Sequence, residues 1–281
     1  MDSKHSSDNE QAAIWNGDAA QAWVEAQPLL DHMFQAIETM LVATVSAERH
    51  QQVLDIGCGT GSTTLAASRR LGAKGHCVGV DISAPMIAAA RARAEREALS
   101  TSFICDDAQR HVFAPESFDL IISRFGVMFF DDAVTAFTNL RHAARKNAEC
   151  RLIVWRSAEE NPFMTTAERA ARKLLPHLPV RQPDAPGQFA FARQDRVSSI
   201  LHASGWADIE IQPIDVLCTF PESELMRYLT RMGPLGRALQ EVDAQTRNKV
   251  VATVRAAFDP YVHGDQVRYT AACWNVSARA L

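Results

Sequence analysis

The chain has 281 residues, of which 47% are hydrophobic, and a formal net charge of −4. That length and apolar content suit one large globular domain, or a domain with an elaborated cap. The acidic balance gives no pull toward nucleic acid or an anionic membrane, no apolar stretch approaches the roughly 20 residues of a membrane span, and the opening MDSKHSSDNE lacks the apolar core of a secretion signal.

A cytoplasmic protein is therefore expected. Cys58, Cys77, Cys105, Cys150, Cys218 and Cys273 are scattered, with no C-x-x-C and no Cys/His cluster. They read as buried, reduced thiols, with no metal site.

Residues 1–12 are polar and read as a disordered tail, followed by a single domain over 13–281. Leu30, Met33, Phe34, Ile37 and Leu41 recur at helical spacing and predict an amphipathic helix. Trp15 and Trp23 precede it; they either pack onto the core or wall a ligand pocket. The stretch Gln52–Gly61 then reads strand, glycine turn, helix. In an open α/β sheet this arrangement builds a ligand site at the carboxyl end of the first strand. Glycines let backbone approach a ligand, and the helix start (helix about 61–71) offers N–H groups to an anion. Asp55 lies inside the strand, so a cationic ligand or loop N–H donors must satisfy it. The spacing G-x-G-x-G departs from the G-x-G-x-x-G of nicotinamide dinucleotide sites, which argues against an oxidoreductase.

Strand two is read at His76–Asp81, with Ser83 as the cap of the next helix and Pro85 in its first turn. Residues 91–97, RARAERE, read as a solvated helix face. Strand three is Ser102–Cys105 and strand four Phe118–Ser123. A helix opens at Asp131-Asp132, with Val134, Phe137, Leu140 and Ala144 on one face and Arg145-Lys146 closing it. Strand five is Cys150–Trp155. Residues 157–190 hold Pro162, Pro176, Pro179, Pro183 and Pro186. They read as a short helix, about 162–175, and a long loop belonging to a substrate lid. A helix over 194–204 leads to strand six, Asp208–Ile214. Thr219 to Glu222 has capping-box spacing, so a helix is expected to run to Arg231 and break at Gly233-Pro234. A second helix, about 237–258, precedes strand seven, Val267–Val276. Cap elements thus fall at 13–45, 157–190 and 219–264.

The run D-I-G-C-G-T-G at 55–61 resembles motif I of the class I S-adenosylmethionine-dependent methyltransferases. SRFGVMFF after strand four is similar to the branch containing the ubiquinone and menaquinone C-methyltransferases. The resemblance covers about 13–281 and is strong through 52–156. It implies a Rossmann-like, doubly wound α/β sheet of seven strands, order 3-2-1-4-5-7-6, with strand seven antiparallel. It implies S-adenosyl-L-methionine as cofactor, S-adenosyl-L-homocysteine as product, and no metal.

By the same resemblance Asp55, Gly57, Cys58, Gly59, Thr60 and Gly61 cradle the methionine part. Asp81 takes the ribose hydroxyls, with Ile82 and Met86 beside it. Asp107, with Ala108, reaches the adenine amine; Asp106 is nearly as well placed. Ser123 stands at the end of strand four. Arg124 binds a substrate carboxylate or phosphate, or pairs with an acid of the N-terminal helix. The sequence Ser123-Arg124-Phe125-Gly126 lacks the proline-containing tetrad of nucleic-acid amino methyltransferases. A small acceptor, partly apolar or aromatic, is expected against Trp15, Trp23, Arg124, Phe125, Trp155, Phe189 and Tyr228. Phe163, Met164, Phe191, Met226 and Met232 either fold the cap or join that pocket. Tyr228 and His177, then Tyr261 and His263, are the candidates for a base. A protein methyltransferase and a non-catalytic cofactor-binding protein are the competing readings, and a homodimer is allowed for.

Overall fold

In the computed structural model, which describes residues 10–48, 50–182 and 184–281, eight strands form one sheet. They are β1 (Gln52–Ile56), β2 (His76–Asp81), β3 (Thr101–Cys105), β4 (Phe118–Arg124), β5 (Ala144–Trp155), β6 (Ala207–Pro221), β7 (Val262–His263) and β8 (Gln266–Arg279). The order is β3-β2-β1-β4-β5-β8-β6, and β7 pairs with β8. β3 through β5 are parallel; β8 runs antiparallel to both β5 and β6. This is the expected Rossmann-like order, with the predicted strand seven as β8. The extra strand arises because the Gly264-Asp265 turn, with Gly264 at φ +66°, folds residues 262–263 back onto β8.

Order reverses between β1 and β4, so a crevice opens at their carboxyl ends. Val53, Leu54, Ile121 and Ile122 are fully buried there, as a sheet covered by helices on both faces requires. The helices are α1 (Glu10–Asn16), α2 (Asp18–Glu25), α3 (Gln27–Met33), α4 (Gln35–Val42), α5 (Ser62–Leu71), α6 (Ala84–Arg96), α7 (Ala133–Ala143), α8 (Pro162–Ala171), α9 (Gln194–Ala203), α10 (Leu225–Arg231), α11 (Gly233–Ala238) and α12 (Ala244–Ala257). Ser83 caps α6 through the Met86 N–H, as expected. Asp132 and Asp243 cap α7 and α12 by accepting from Thr135 and Thr246.

Several expectations are corrected. The tail prediction lies outside the described residues over 1–9, but residues 10–12 already belong to α1. The N-terminal helix is four short helices; Leu30, Met33, Phe34, Ile37 and Leu41 are all buried nonetheless. In α7 the buried face is Ala136, Phe137, Leu140 and Ala143, while Val134 is 38% exposed. Ala144–Lys146 belong to β5, because Ala144 already pairs with Phe118. Thr219 caps nothing. It lies in β6 opposite Arg268, since β6 pairs with β8 as far as Pro221, seven residues beyond the predicted end. The helix before Gly233-Pro234 does end at Arg231, as expected, but that pair opens α11, and the helix expected over about 237–258 begins only at Ala244. Among the cysteines, Cys105 is exposed and the other five are buried.

The long β6–β8 ribbon matters for function. β5 ends at Trp155, opposite Cys273, whereas β8 continues back to Gln266. The ribbon therefore overhangs the carboxyl edge of the parallel strands, and α10 to α12 hang from its end above the crevice. The N-terminal helices cross the same edge and are latched to it. Asn16 donates to the Ile82 carbonyl (3.1 Å) and accepts from the Ala84 N–H (2.9 Å). Arg93 pairs with Asp31 at 2.6 Å, and Arg227 donates to the Glu25 carbonyl at 2.6 Å. Among the described residues no helix is long and apolar enough to cross a membrane.

Candidate functional site

The crevice begins where β1 ends. Gly57, at φ +65°, passes so close to Gly126 that a Cβ on it would meet the Gly126 Cα at 2.5 Å. A Cβ on Gly126 would meet the Ile56 carbonyl oxygen at 2.4 Å. The loops after β1 and β4 thus touch backbone to backbone. Ser123, fully buried at the end of β4, ties them by donating to the Ile56 carbonyl at 2.8 Å.

The amides of the glycine turn itself are paired within the protein. The Gly57 and Cys58 N–H groups donate to the Val80 carbonyl (2.9 and 3.1 Å), and the Gly61 N–H to the Cys58 carbonyl (2.9 Å). The Gly59 N–H donates to Asp81 Oδ2 at 2.8 Å, and the Ser83 N–H to Asp81 Oδ1 at 2.9 Å. Asp81 therefore braces the turn as well as facing the crevice. Burial pushes its pKa up, and the two N–H donors oppose the shift.

Two cavities meet at this edge. The first, about 170 Å³, is lined by Gly57, Cys58, Gly59, Thr60, Asp81 and Ile82, with Met86, Asp107 and Ala108. Gly59 faces it openly: a Cβ there would meet only the Met86 sulfur, at 3.8 Å. Its charged lining is Asp31, Asp81, Asp106 and Asp107 against Arg124, so the cavity is acidic. Asp106 Oδ2 lies 2.7 Å from His111 Nδ1, and Asp107 Oδ1 accepts the Gln109 N–H at 2.9 Å. Both acids remain placed for the role expected of Asp107.

The second cavity, about 420 Å³, is lined by Trp15, Trp23, Phe125, Trp155, Phe189 and Tyr228, six of the seven predicted acceptor residues. Trp15, Trp23, Phe34, Phe125 and Phe129 line both cavities and form their shared wall. Trp15 meets Phe129 edge-on at 5.1 Å, and Phe125 stacks on Trp155 at 4.6 Å. Phe125 holds φ +69°, a conformation costly for a side-chain-bearing residue and of the kind found at ligand sites.

Arg124 lines the first cavity and faces Glu38 of α4 at 3.7 Å, yet its buried Nη1 makes no hydrogen bond among the described residues. Glu38 instead accepts from the Ser62 hydroxyl. The pairing with an N-terminal acid is thus present, and one guanidinium donor is left over.

Three predicted cofactor residues lie behind the wall. Ser123 is one. Gly61 packs on α6, where a Cβ would meet the Ala90 Cβ at 2.9 Å. Asp55 is 1% exposed and accepts from the Thr64 hydroxyl at 2.6 Å, a side-chain partner in place of the expected loop amides. Burial raises its pKa to about 7, opposed by the Thr64 hydrogen bond and the Arg124 charge. The folded state therefore holds this proton more tightly than an unfolded chain, whose aspartate titrates near 3.9. The stability it contributes is complete below about pH 4 and lost as pH rises to about 7, on the order of 4 kcal/mol. Asp55→Asn should then cost less melting temperature, relative to wild type, at about pH 8 than at about pH 5. A gap that stays constant across that range rules this out.

The base candidates fare differently. His177 is exposed and lines neither cavity. Tyr228 lines the second cavity, but burial, then the Glu168 charge, pushes its hydroxyl well above the ordinary value. It stays protonated at neutral pH and is a donor, its hydroxyl 3.7 Å from the Met164 sulfur. Sequence reasoning missed Arg93. It sits inside the supposedly solvated run, yet holds both the Thr60 carbonyl (2.8 Å) and Asp31. It also missed the Asn16 latch and the places of Phe34 and Gly126 in the cavity lining, since helical spacing marks Phe34 only as a packing residue.

Residues 53–147 match a protein family described as a methyltransferase domain. The chain is 40% identical over 87 residues to aklanonic acid methyltransferase of Streptomyces sp. (strain C5), covering 31% of this chain and 40% of that protein. It is 32% identical over 100 residues to nocamycin O-methyltransferase of Saccharothrix syringae, covering 35% and 36%. The matches span less than half the length of these curated relatives. Among solved structures, phosphoethanolamine N-methyltransferase 2 of Haemonchus contortus, in complex with S-adenosyl-L-methionine, superposes with a TM-score of 0.56. It is 17% identical and covers 97% of this chain and 59% of that one, a likeness of fold.

Proposed function

We infer that this chain, whose residues 53–147 match a methyltransferase domain, is an S-adenosylmethionine-dependent enzyme that transfers a methyl group to a small, partly apolar or aromatic molecule. The observation that carries this is the pair of cavities sharing one aromatic wall at the carboxyl ends of β1 and β4. The relatives named for aklanonic acid and nocamycin lend support to a small-molecule acceptor.

The first cavity suits S-adenosyl-L-methionine on its own chemistry. Its acidic lining matches a ligand carrying a sulfonium and an ammonium, and open space at Gly59 admits backbone contact. Asp81 is placed for the ribose, and Asp107 or Asp106 for the adenine amine. When bound, the cofactor supplies a methyl group made electrophilic by the adjacent positive sulfur. The chain's part is positional. Trp15, Phe34, Phe125 and Phe129 hold the acceptor in line across the shared wall and exclude water. The acceptor's reacting atom would be held opposite that methyl group, and any proton it gave up would pass to solvent at the exposed end of the second cavity, beside Arg181.

Such alignment supplies about 7–11 kcal/mol, against about 3–5 kcal/mol from a general base. Glu168 is the one carboxylate among the described residues lining the second cavity, and it is held by Arg181 at 2.6 Å. A reaction driven by positioning fits this lining.

Calorimetric titration with S-adenosyl-L-homocysteine tests the reading. One site of roughly micromolar affinity is expected, about −8 kcal/mol. No binding of that nucleoside, together with binding of NADH, would replace the methyltransferase reading with a dehydrogenase.

A further inference from the structure

The second cavity is apolar in its depth and cationic at its mouth. Trp155, Phe125, Met164 and Leu229 line its interior, whereas Arg181, Arg231 and Arg237 also line it and are exposed. Against these three arginines stands one acid, Glu168, already held by Arg181 through two oxygens (2.6 and 3.2 Å). Arg231 and Arg237 have no ion-pair partner among the described residues. The local excess of positive charge runs against the −4 of the whole chain and against the acidic first cavity.

The backbone builds this mouth. Gly233, at φ +68°, turns the chain between α10 and α11. Gly236 then lies so near Arg231 that a Cβ on it would meet the Arg231 carbonyl carbon at 2.5 Å. Only glycine permits this approach, and it brings the backbones bearing Arg231 and Arg237 to one place. Neither arginine lines the first cavity.

We propose that the acceptor is an aromatic acid, its ring body seated against Trp155, Phe125 and Tyr228 and its carboxylate held at the mouth by Arg231 and Arg237. This deepens the small-molecule reading above and rests on it. Guanidinium groups pair with carboxylates in a fork geometry that a neutral group cannot reproduce. The shared aromatic wall and the arginine mouth are different parts of the cavity lining, so the carboxylate anchors and the methylated atom belongs to the ring body.

The test uses the full chain saturated with S-adenosyl-L-homocysteine, titrated calorimetrically with naphthalene-2-carboxylate and with naphthalene-2-carboxamide. The carboxylate should bind about tenfold more tightly, as charge-assisted hydrogen bonds at a partly desolvated mouth allow. Raising salt should shrink that preference. In the double variant Arg231→Gln, Arg237→Gln the preference should fall to about threefold or less, with homocysteine-nucleoside affinity unchanged. Equal binding of the two probes, a preference that survives in the double variant, or no binding of either probe to the nucleoside-saturated protein overturns the proposal. Failure of the nucleoside itself to bind overturns the methyltransferase reading beneath it, a separate and distinguishable result.

Discussion

Asp81→Ala should weaken S-adenosyl-L-homocysteine binding by about 10- to 100-fold, the loss of a charge-assisted hydrogen bond worth about 1.5–3 kcal/mol. Two effects combine. The carboxylate lines the first cavity at the end of β2, where the proposed cofactor's ribose hydroxyls are expected. It also accepts the Gly59 and Ser83 N–H groups at 2.8 and 2.9 Å, so its removal orphans two donors and loosens the glycine turn. Each orphaned donor costs about 1–3 kcal/mol, so the variant should also melt earlier. Asp81→Asn separates the effects: its amide oxygen satisfies one N–H, while its NH₂ opposes the other. Calorimetry for affinity and thermal melting for stability, on all three proteins, give the answer. Unchanged affinity in Asp81→Ala removes Asp81 from the cofactor site.

The second large effect is on the fold itself. Gly57→Ala should destabilise by about 2–5 kcal/mol, combining overpacking of roughly 1–3 kcal/mol with a left-handed backbone cost of roughly 1–2 kcal/mol. The new methyl would strike the Gly126 Cα, a backbone atom at 2.5 Å that moves only if the junction of β1 and β4 moves. Gly126→Ala should be similarly severe through the Ile56 carbonyl. At this chain length each kcal/mol is worth about 2–4 °C of melting temperature, so a drop of roughly 4–20 °C is expected. The double substitution should cost less than the sum, because both methyls spoil the same contact. Gly59→Ala is the contrast. Its methyl enters open cavity, so stability should fall only by the backbone cost of about 1–2 kcal/mol, while nucleoside affinity is lost. A Gly57→Ala protein melting within about 2 °C of wild type contradicts this account of the junction.

What local pattern can carry was legible in the chain alone. The apolar run into Gly57-x-Gly59-x-Gly61 located β1, its turn and α5 within a residue, because strand, glycine and helix signals lie in contiguous positions. His76–Asp81 was read to the residue for the same reason, and the aromatic and apolar composition of the caps pointed to a pocket that Trp15, Phe125, Trp155, Phe189 and Tyr228 do line. Three kinds of feature were not legible. The length of β6 depends on its pairing with β8, about fifty residues further on, and that ladder overrode the capping-box spacing at Thr219. The burial of Asp55 behind Thr64 depends on how α5 lies on β1, so a residue of the resembled motif proved to sit behind the cavity wall. Gly57 and Gly126, Arg93 and Thr60, Asn16 and Ile82 meet across chain separations that no periodicity encodes. The sequence by itself determined the central strands and helices from β1 to β5 and their succession along the chain, because backbone propensity and hydrophobic period are local quantities. Only the tertiary structure decided which acids face the cavity, which arginines rim the other and which glycines touch, because those contacts exist only once distant segments are folded against one another.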